Sequence, residues 1–181
     1  LADKITVLLE DYRDLRGQYN KLISIEMVEA VGHHYIDDYF QRCADLLTPD
    51  GLAIIQAITL EDHRYAQAVK SVDFIKRYIF PGSFIPSVTV LSNAAAKAKL
   101  KLTSLEDIGP SYAITLATWR ERFNASLHKV RAMGYPDSFI RMWEFYLCYC
   151  EGGFAERSIS DVHLLFSKVE NRRAQWCPEY A

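Results

Sequence analysis

The chain has almost no net charge: 21 basic side chains stand against 23 acidic ones, for −2 overall. That balance excludes a nucleic-acid binder working by bulk electrostatics. There is no apolar run approaching the length needed to cross a bilayer, and the opening residues do not read as a secretory signal. Cysteines are few (Cys43, Cys148, Cys150 and Cys177) and show no disulfide framework. Cys148 and Cys150 would point to different faces of a helix, so a reducing cytoplasm is the expected compartment. Metal-ligand spacing is missing too. His33-His34 with Asp37-Asp38 come nearest, but adjacent histidines point apart on a helix or strand. Repeats and low-complexity segments are absent. The chain opens Leu1-Ala2-Asp3-Lys4 without an initiator methionine, as expected for the later part of a longer protein.

What is present is core-forming material. Half of the 181 residues are hydrophobic, which excludes disorder and suits one domain. Ile5 to Leu9 reads as a short β-branched strand leading into the charged turn Glu10 to Asp14. Lys21 to Glu26 reads as a second strand. Tyr35 to Leu47 has helical spacing, with apolar residues at Tyr35, Tyr39, Phe40, Cys43, Leu46 and Leu47. Thr48-Pro49-Asp50-Gly51 reads as a turn, and Leu52 to Ile58 as a nearly all-apolar strand, as in the middle of a parallel sheet. Strand, helix and strand in this order make a βαβ unit. Ser87 to Leu100 looks helical and Lys101 to Glu106 strand-like. Tyr112, Leu116, Trp119, Phe123, Leu127 and Val130 lie on one stripe of a long helix. Gly134 and Pro136 end it. Phe139, Trp143, Tyr146, Leu147, Cys150 and Phe154 form the stripe of a second helix, expected to pair antiparallel with the first. Asp161 to Val169 reads as a last strand, with a loose tail after Glu170.

One segment breaks the usual rule that Pro/Gly-punctuated loops are polar. Ile75 to Ser87 reads I-K-R-Y-I-F-P-G-S-F-I-P-S and carries Tyr78, Ile79, Phe80, Phe84 and Ile85. Such a loop needs cover from the core, a partner or an apolar ligand. Its Y-I-F-P-G-x-x-x-P-S wording closely resembles the loop after the fifth strand of cyclopropane-fatty-acyl-phospholipid synthases and their mycolic-acid relatives. Four further words fall in the matching order: D-Y-R-D-L from Asp11, V-E-A-V-G from Val28, W-R-E-R-F from Trp119 and Y-L-C-Y-C-E-G-G-F from Tyr146. The resemblance runs from about Thr6 to about Asn171.

That resemblance implies an α/β, class I (Rossmann-like) methyltransferase fold with strand order 3-2-1-4-5-7-6. Residues 1–171 would be the C-terminal part of the catalytic domain and 172–181 a tail. The first strands of the seven-stranded sheet would be lacking, and the two long helices would form an acyl-binding insertion. It implies transfer of a methyl group from S-adenosylmethionine to the double bond of an unsaturated phospholipid acyl chain, giving a cyclopropane or a methyl- or methylene-branched product. Asp11, Tyr12 and Arg13, following a strand, would meet the adenine; unaided by the resemblance, they read as a solvated charged turn. Glu29, Gln56, Ile58 (through its backbone) and Tyr112 would hold a bicarbonate ion, with Cys150 nearby. A carboxylate can accept the O–H of bicarbonate. Without the resemblance, Gln56 reads as a core glutamine satisfied by backbone, Tyr112 as core and Cys150 as an inert buried thiol. In well-known relatives the position of Gln56 is a histidine in an L-H-T-I word; here the word is Ile55-Gln56-Ala57-Ile58, and an amide cannot titrate near neutral pH.

The chemistry requires a dry, aromatic-lined pocket, because attack by an alkene on a sulfonium methyl leaves a carbocation that water would trap. It also requires a base for the departing proton. The glycine-rich cofactor turn, the acidic residue for the ribose and the family's upstream active-site cysteine do not occur in this sequence. The chain alone is therefore expected to bind the cofactor poorly and to be nearly inactive. Further expectations are a peripheral location on the inner membrane surface, no metal, no nucleic acid, and a possible homodimer through the helix pair; Lys97, Lys99 and Lys101 read as a solvated face, with headgroup contact as the alternative. The alternative reading is a non-catalytic α/β module that binds lipid or a partner through the aromatic loop.

Overall fold

The computed structural model describes residues 2–172. Four strands form one sheet: β1 (Tyr19–Ile25), β2 (Leu47–Leu60), β3 (Leu100–Asp107) and β4 (Ile159–Lys168). Their spatial order is β1-β2-β4-β3. β1 and β2 run parallel, while β4 lies antiparallel to both β2 and β3. This order is the 4-5-7-6 portion of the order implied by the resemblance.

Alternation along β2 and β4 divides the sheet into two faces. Ala53, Ile55 and Ala57 pair across the strands with Phe166, Leu164 and Val162, and all six are buried. The helices α2 (Ile36–Asp45) and α4 (Val88–Lys97) cover this face with Tyr39, Phe40, Leu91, Ala94 and Ala95. Small residues on α4 let it lie close to the strands, while Phe40 meets Phe166 edge-on at 5.6 Å. Tyr39 is buried among them and donates its hydroxyl to Ser24 Oγ on β1 at 2.7 Å. Tyr39→Phe removes that bond and is expected to cost about 1 kcal/mol of stability, read by urea denaturation. The other face carries Gln56 and Ile58 opposite His163 and Asp161. Near these positions it is covered by the antiparallel pair α5 (Gly109–Ala125) and α7 (Asp137–Ala155), joined by the Arg120–Glu151 ion pair at 3.0 Å.

Several expectations need correcting. Ile5 to Leu9 forms no strand: it joins no ladder, and Val7 and Leu9 are exposed at 89% and 104%. β-branched composition favours an extended chain, but a strand exists only where a neighbour supplies hydrogen bonds. Thr48 to Gly51 is not a free turn. It lies inside β2, where the register jumps from Tyr19↔Leu47 to Lys21↔Leu52. The stripe from Tyr112 to Val130 is not one helix, since Ser126 separates α5 from α6 (Leu127–Ala132). A helix was also missed, α3 (Asp62–Lys70), whose residues are all at least partly exposed, with Tyr65 packed against the core.

The aromatic segment proves to be two things. Ile75–Ile79 forms a π-helical turn. Beyond it Phe84 and Pro86 are buried in the domain core. Tyr78 and Phe80 stay exposed at 57% and 53% but lean on aromatic partners: Tyr78 on Phe74, and Phe80 on Tyr146 of α7. Ser87 caps α4 by accepting from Val90 N–H at 3.4 Å. No helix among the described residues is long and apolar enough to cross a membrane.

Candidate active site

The parallel strands β1 and β2 end at the same edge of the sheet, the edge where open α/β sheets place their ligands. Glu26 follows β1, and its backbone N–H is held by Gln56 O at 3.0 Å. Two residues on, α1 (Val28–Val31) begins and carries Glu29. Gln56 and Ile58 lie near the end of β2, facing Asp161 and His163 at the start of antiparallel β4. Tyr112 comes from the first turn of α5, which Pro110 starts at its favoured position.

These elements bring five side chains into one hydrogen-bonded cluster. The Gln56 amide nitrogen lies 2.9 Å from Glu26 Oε1, 2.9 Å from the Tyr112 hydroxyl and 3.0 Å from Asp161 Oδ2. Tyr112 donates its hydroxyl to Glu26 Oε1 at 2.8 Å. His163 Nε2 lies 3.0 Å from Gln56 Oε1. With its proton on Nε2, the imidazole donates to the amide oxygen and so turns the amide N–H groups towards the acidic residues. His163 Nδ1 in turn faces Glu106 of β3 at 3.9 Å. Gln56 is thus a buried glutamine, as expected, but its partners are side chains rather than backbone.

Glu29 stands beside this cluster. Its Oε1 accepts from Ile58 N–H at 2.6 Å, and its buried Oε2 has no hydrogen-bond partner. Burial pushes its carboxyl up to about 7, against the lowering effect of the backbone bonds; the charge of Glu26 adds to the rise. Asp161 is fully buried, with Oδ1 also unpartnered. Burial, then the hydrogen bond and charge of Glu26, lift it to about 7. Tyr112 is shifted upward by desolvation and by its bond to Glu26, so its hydroxyl stays protonated.

Beside the polar cluster lies an apolar wall. Leu116, Leu147 and Phe154 form its centre, with Ile58, Tyr112, Trp143, Tyr146 and Cys150 packed against it. The Tyr112 and Phe154 rings lie 5.2 Å apart, and Trp143 and Tyr146 5.0 Å apart. Cys150 belongs to this wall, not to the hydrogen-bonded cluster. Burial raises its thiol to about 11, so it remains protonated.

The structure therefore brings Gln56 and Tyr112 into direct contact and places Glu29, Ile58 and Cys150 around them. Asp11, Tyr12 and Arg13 lie elsewhere, on the α2 side of β1. Tyr12 meets Tyr39 edge-on at 5.7 Å. Asp11 is engaged by Arg13 at 2.7 Å, and that hydrogen bond holds its carboxyl down to about 2. The carboxylate expected to accept from an adenine is thus already bonded to its own neighbour, while the Tyr12 ring is partly buried. Cys43 is buried and Cys148 exposed; Cys177 falls outside the described residues. Lys97 is paired with Asp37 at 2.6 Å. Among the described residues no group of three or more His, Cys, Asp or Glu is arranged to hold a metal.

The donors expected to hold bicarbonate are occupied. Ile58 N–H is bonded to Glu29, the Gln56 amide to Glu26, Tyr112 and Asp161, and the Tyr112 hydroxyl to Glu26. An added anion would also meet the acidic side chains of Glu26, Glu29 and Asp161. The residues present do not fit it.

Sequence reasoning missed Glu26, Asp161 and His163. In I-S-I-E the acidic residue ends an apolar strand, and in D-V-H-L-L-F the polar residues alternate with core residues, which marks their face of the sheet but not their partners.

Comparison with known proteins agrees with the strand order. The chain is 38% identical over 152 residues to the tuberculostearic acid methyltransferase UfaA1 of Mycobacterium tuberculosis, covering 83% of this chain and 36% of that protein. It is 34% identical over 169 residues to the cyclopropane-fatty-acyl-phospholipid synthase of Escherichia coli, covering 92% of this chain and 42% of that protein. It thus spans about two fifths of the length of these relatives. The cyclopropane synthase MmaA2 of Mycobacterium tuberculosis superposes with a TM-score of 0.80 at 24% identity, over 92% of this chain and 64% of that one. That likeness carries the fold. The family model described as mycolic acid cyclopropane synthetase matches residues 1–164, and with that match over most of its length the chain belongs to the mycolic acid cyclopropane synthetase family.

Proposed function

We propose that this chain supplies the catalytic edge and acyl-binding helices of an S-adenosylmethionine-dependent methyltransferase acting on the double bond of unsaturated lipid acyl chains. The observation that carries the reading is a hydrogen-bonded acidic cluster set directly against an aromatic wall at the ligand-binding edge of the sheet. An apolar wall suits an acyl chain, and Tyr112, which belongs to both parts, puts its ring beside the place where positive charge develops. Two relatives are named for this chemistry, one for tuberculostearic acid and one for a cyclopropane fatty acid, and a neighbouring structure, of CmaA1, was solved with SAH. When bound, S-adenosylmethionine supplies an electrophilic methyl group; Tyr12 is the residue here best placed to lie against its base. Phospholipid as the acyl carrier and a site of action at the inner membrane surface complete the proposal.

The test is transfer of radiolabelled methyl from S-adenosylmethionine to vesicles of unsaturated phospholipid. It uses the product of the complete reading frame beside residues 1–181 alone. Label in the lipid acyl chains is expected with the complete product, and little or none with residues 1–181. A folded complete product that leaves the lipid unlabelled would rule the reading out.

A further inference from the structure

We propose that Glu26, backed by Asp161, is the proton acceptor of this reaction, so that the site carries its own base and needs no bicarbonate. The inference rests on the methyl-transfer reading above and adds to it the group that completes the chemistry.

Four observations support it. First, Glu26 Oε1 lies within 2.9 Å of both the Gln56 amide nitrogen and the Tyr112 hydroxyl. These are two of the groups expected to grip an anion, so a carboxylate of the chain already sits where that anion's oxygen would be. Second, Glu26 is the exposed member of the cluster, whereas Gln56 and Asp161 are buried at 8% and 0% exposure. An acceptor has to face the reacting carbon, and among the three only Glu26 faces outward. Third, Glu26 adopts φ +48°, a left-handed conformation that costs a residue with a Cβ and suits glycine. Local strain of this kind persists where the surroundings enforce it. Fourth, Asp161 Oδ2 and Glu26 Oε1 meet at the same Gln56 amide nitrogen, at 3.0 and 2.9 Å, and the other oxygen of Asp161 is buried without a partner. Two carboxyls in contact share a proton more readily than both ionise, and the buried Asp161 is the better place for that proton. Glu26, the outward-facing member of the pair, is the one that can reach a proton on a substrate. Glu29 from α1, Tyr112 from α5, and His163 with Glu106 across β4 and β3 are the other titratable groups around the pair.

The step balances as follows. The π pair of the acyl double bond forms a bond to the methyl carbon while the carbon–sulfur bond breaks with its pair on sulfur. The acyl chain is left with a positive charge beside the new methyl group. Glu26 takes a proton from that methyl, and the freed C–H pair closes the three-membered ring or, after a hydride shift has moved the charge to the carbon bearing the methyl, forms the C=CH2 double bond of a methylene branch. The resulting carboxylic acid returns its proton to water once the product has left and the site is open again.

The experiment uses the complete gene product, labelled S-adenosylmethionine, unsaturated phospholipid vesicles, and buffer stripped of carbon dioxide. The wild type is expected to keep its turnover within about twofold with and without added bicarbonate, while Glu26→Gln loses about 100-fold or more. Glu26→Gly guards against misfolding as the cause. It relieves the left-handed backbone, so its thermal midpoint is expected to match or exceed the wild type while turnover falls as far. It also empties the place the Glu26 carboxyl takes beside Gln56 and Tyr112, so added bicarbonate or formate is expected to restore at least about tenfold of the lost rate, as an external base replaces the deleted one. A wild type that loses tenfold or more on removal of bicarbonate and regains it on addition would overturn the proposal and leave the methyl-transfer reading standing. Full turnover in Glu26→Gln would also overturn it. Absence of label transfer by the wild type under every condition would overturn both.

Discussion

Glu29→Gln in the complete protein is expected to lower methyl transfer by about 100-fold while leaving stability within about 1 kcal/mol of the wild type. The two effects separate because the two oxygens of Glu29 have different surroundings. Oε1 accepts from Ile58 N–H at 2.6 Å, and the glutamine oxygen can take that place. Oε2 is buried without a donor, so the amide nitrogen fills it without breaking a bond. A purely structural cap would therefore survive the change. The carboxyl itself is what differs: it sits near neutrality, raised to about 7, beside Glu26 and the reacting edge. Replacing it with a neutral donor alters the charge and the hydrogen bonding offered to the reaction. Glu29→Leu goes further, leaving Ile58 N–H unpaired, and should lower stability as well by about 1–3 kcal/mol. Turnover and urea denaturation of both variants check the account. Full activity in Glu29→Gln would reduce the residue to a backbone cap.

The second large effect concerns pH. Asp161 has an ordinary value of 3.8 and is raised to about 7 in the fold, first by burial and then by Glu26. A carboxyl whose folded value lies above its unfolded value binds its proton more tightly when folded. Its contribution is fully present below about pH 4 and is lost as pH rises to about 7, where the buried group ionises. Glu29 has the same sign, between 4.5 and about 7. For Asp161 the loss across the window is on the order of 4 kcal/mol. Surface carboxylates such as Asp11, held down to about 2, act in the opposite direction, so the useful quantity is the difference between wild type and variant. Asp161→Asn cannot ionise. Relative to wild type it is expected to gain stability steadily from pH 4 to 8, becoming the more stable of the two by about 1–2 kcal/mol at pH 8. Denaturation series at several pH values measure that difference. A difference that stays flat with pH would mean the carboxyl titrates as an ordinary surface acid.

Strand and helix identities were legible wherever periodicity was strong. The all-apolar run of β2, the 3.6-residue stripe of α2 and the aromatic stripe of α7 each gave the right element. Ile5 to Leu9 was misread because a strand is a property of a pair, and composition reports only one member of it. The α3 helix was missed because it is short and none of its residues is fully buried, so its apolar face is carried by few residues. The site was half legible. Family wording pointed to Glu29, Gln56 and Tyr112, whose positions sit side by side at the sheet edge. The wording could not point to Asp161 and His163, which reach Gln56 across 105 and 107 residues of chain through β2–β4 pairing. Register brings them together, and register is not visible in either strand alone. Asp11 was misjudged for a local reason: its neighbour two residues on bonds the carboxylate that looked free.

The central claim is that an acyl double bond is methylated at the edge formed by Glu26, Gln56, Tyr112 and Asp161. Mass spectrometry of the lipids from cells expressing the complete gene addresses it most directly. The account predicts acyl chains heavier than their unsaturated precursors by one CH2 unit, and their loss when Tyr112→Phe or Glu26→Gln is expressed at equal level. Unsaturated chains that keep their mass in the presence of folded, abundant protein would contradict it.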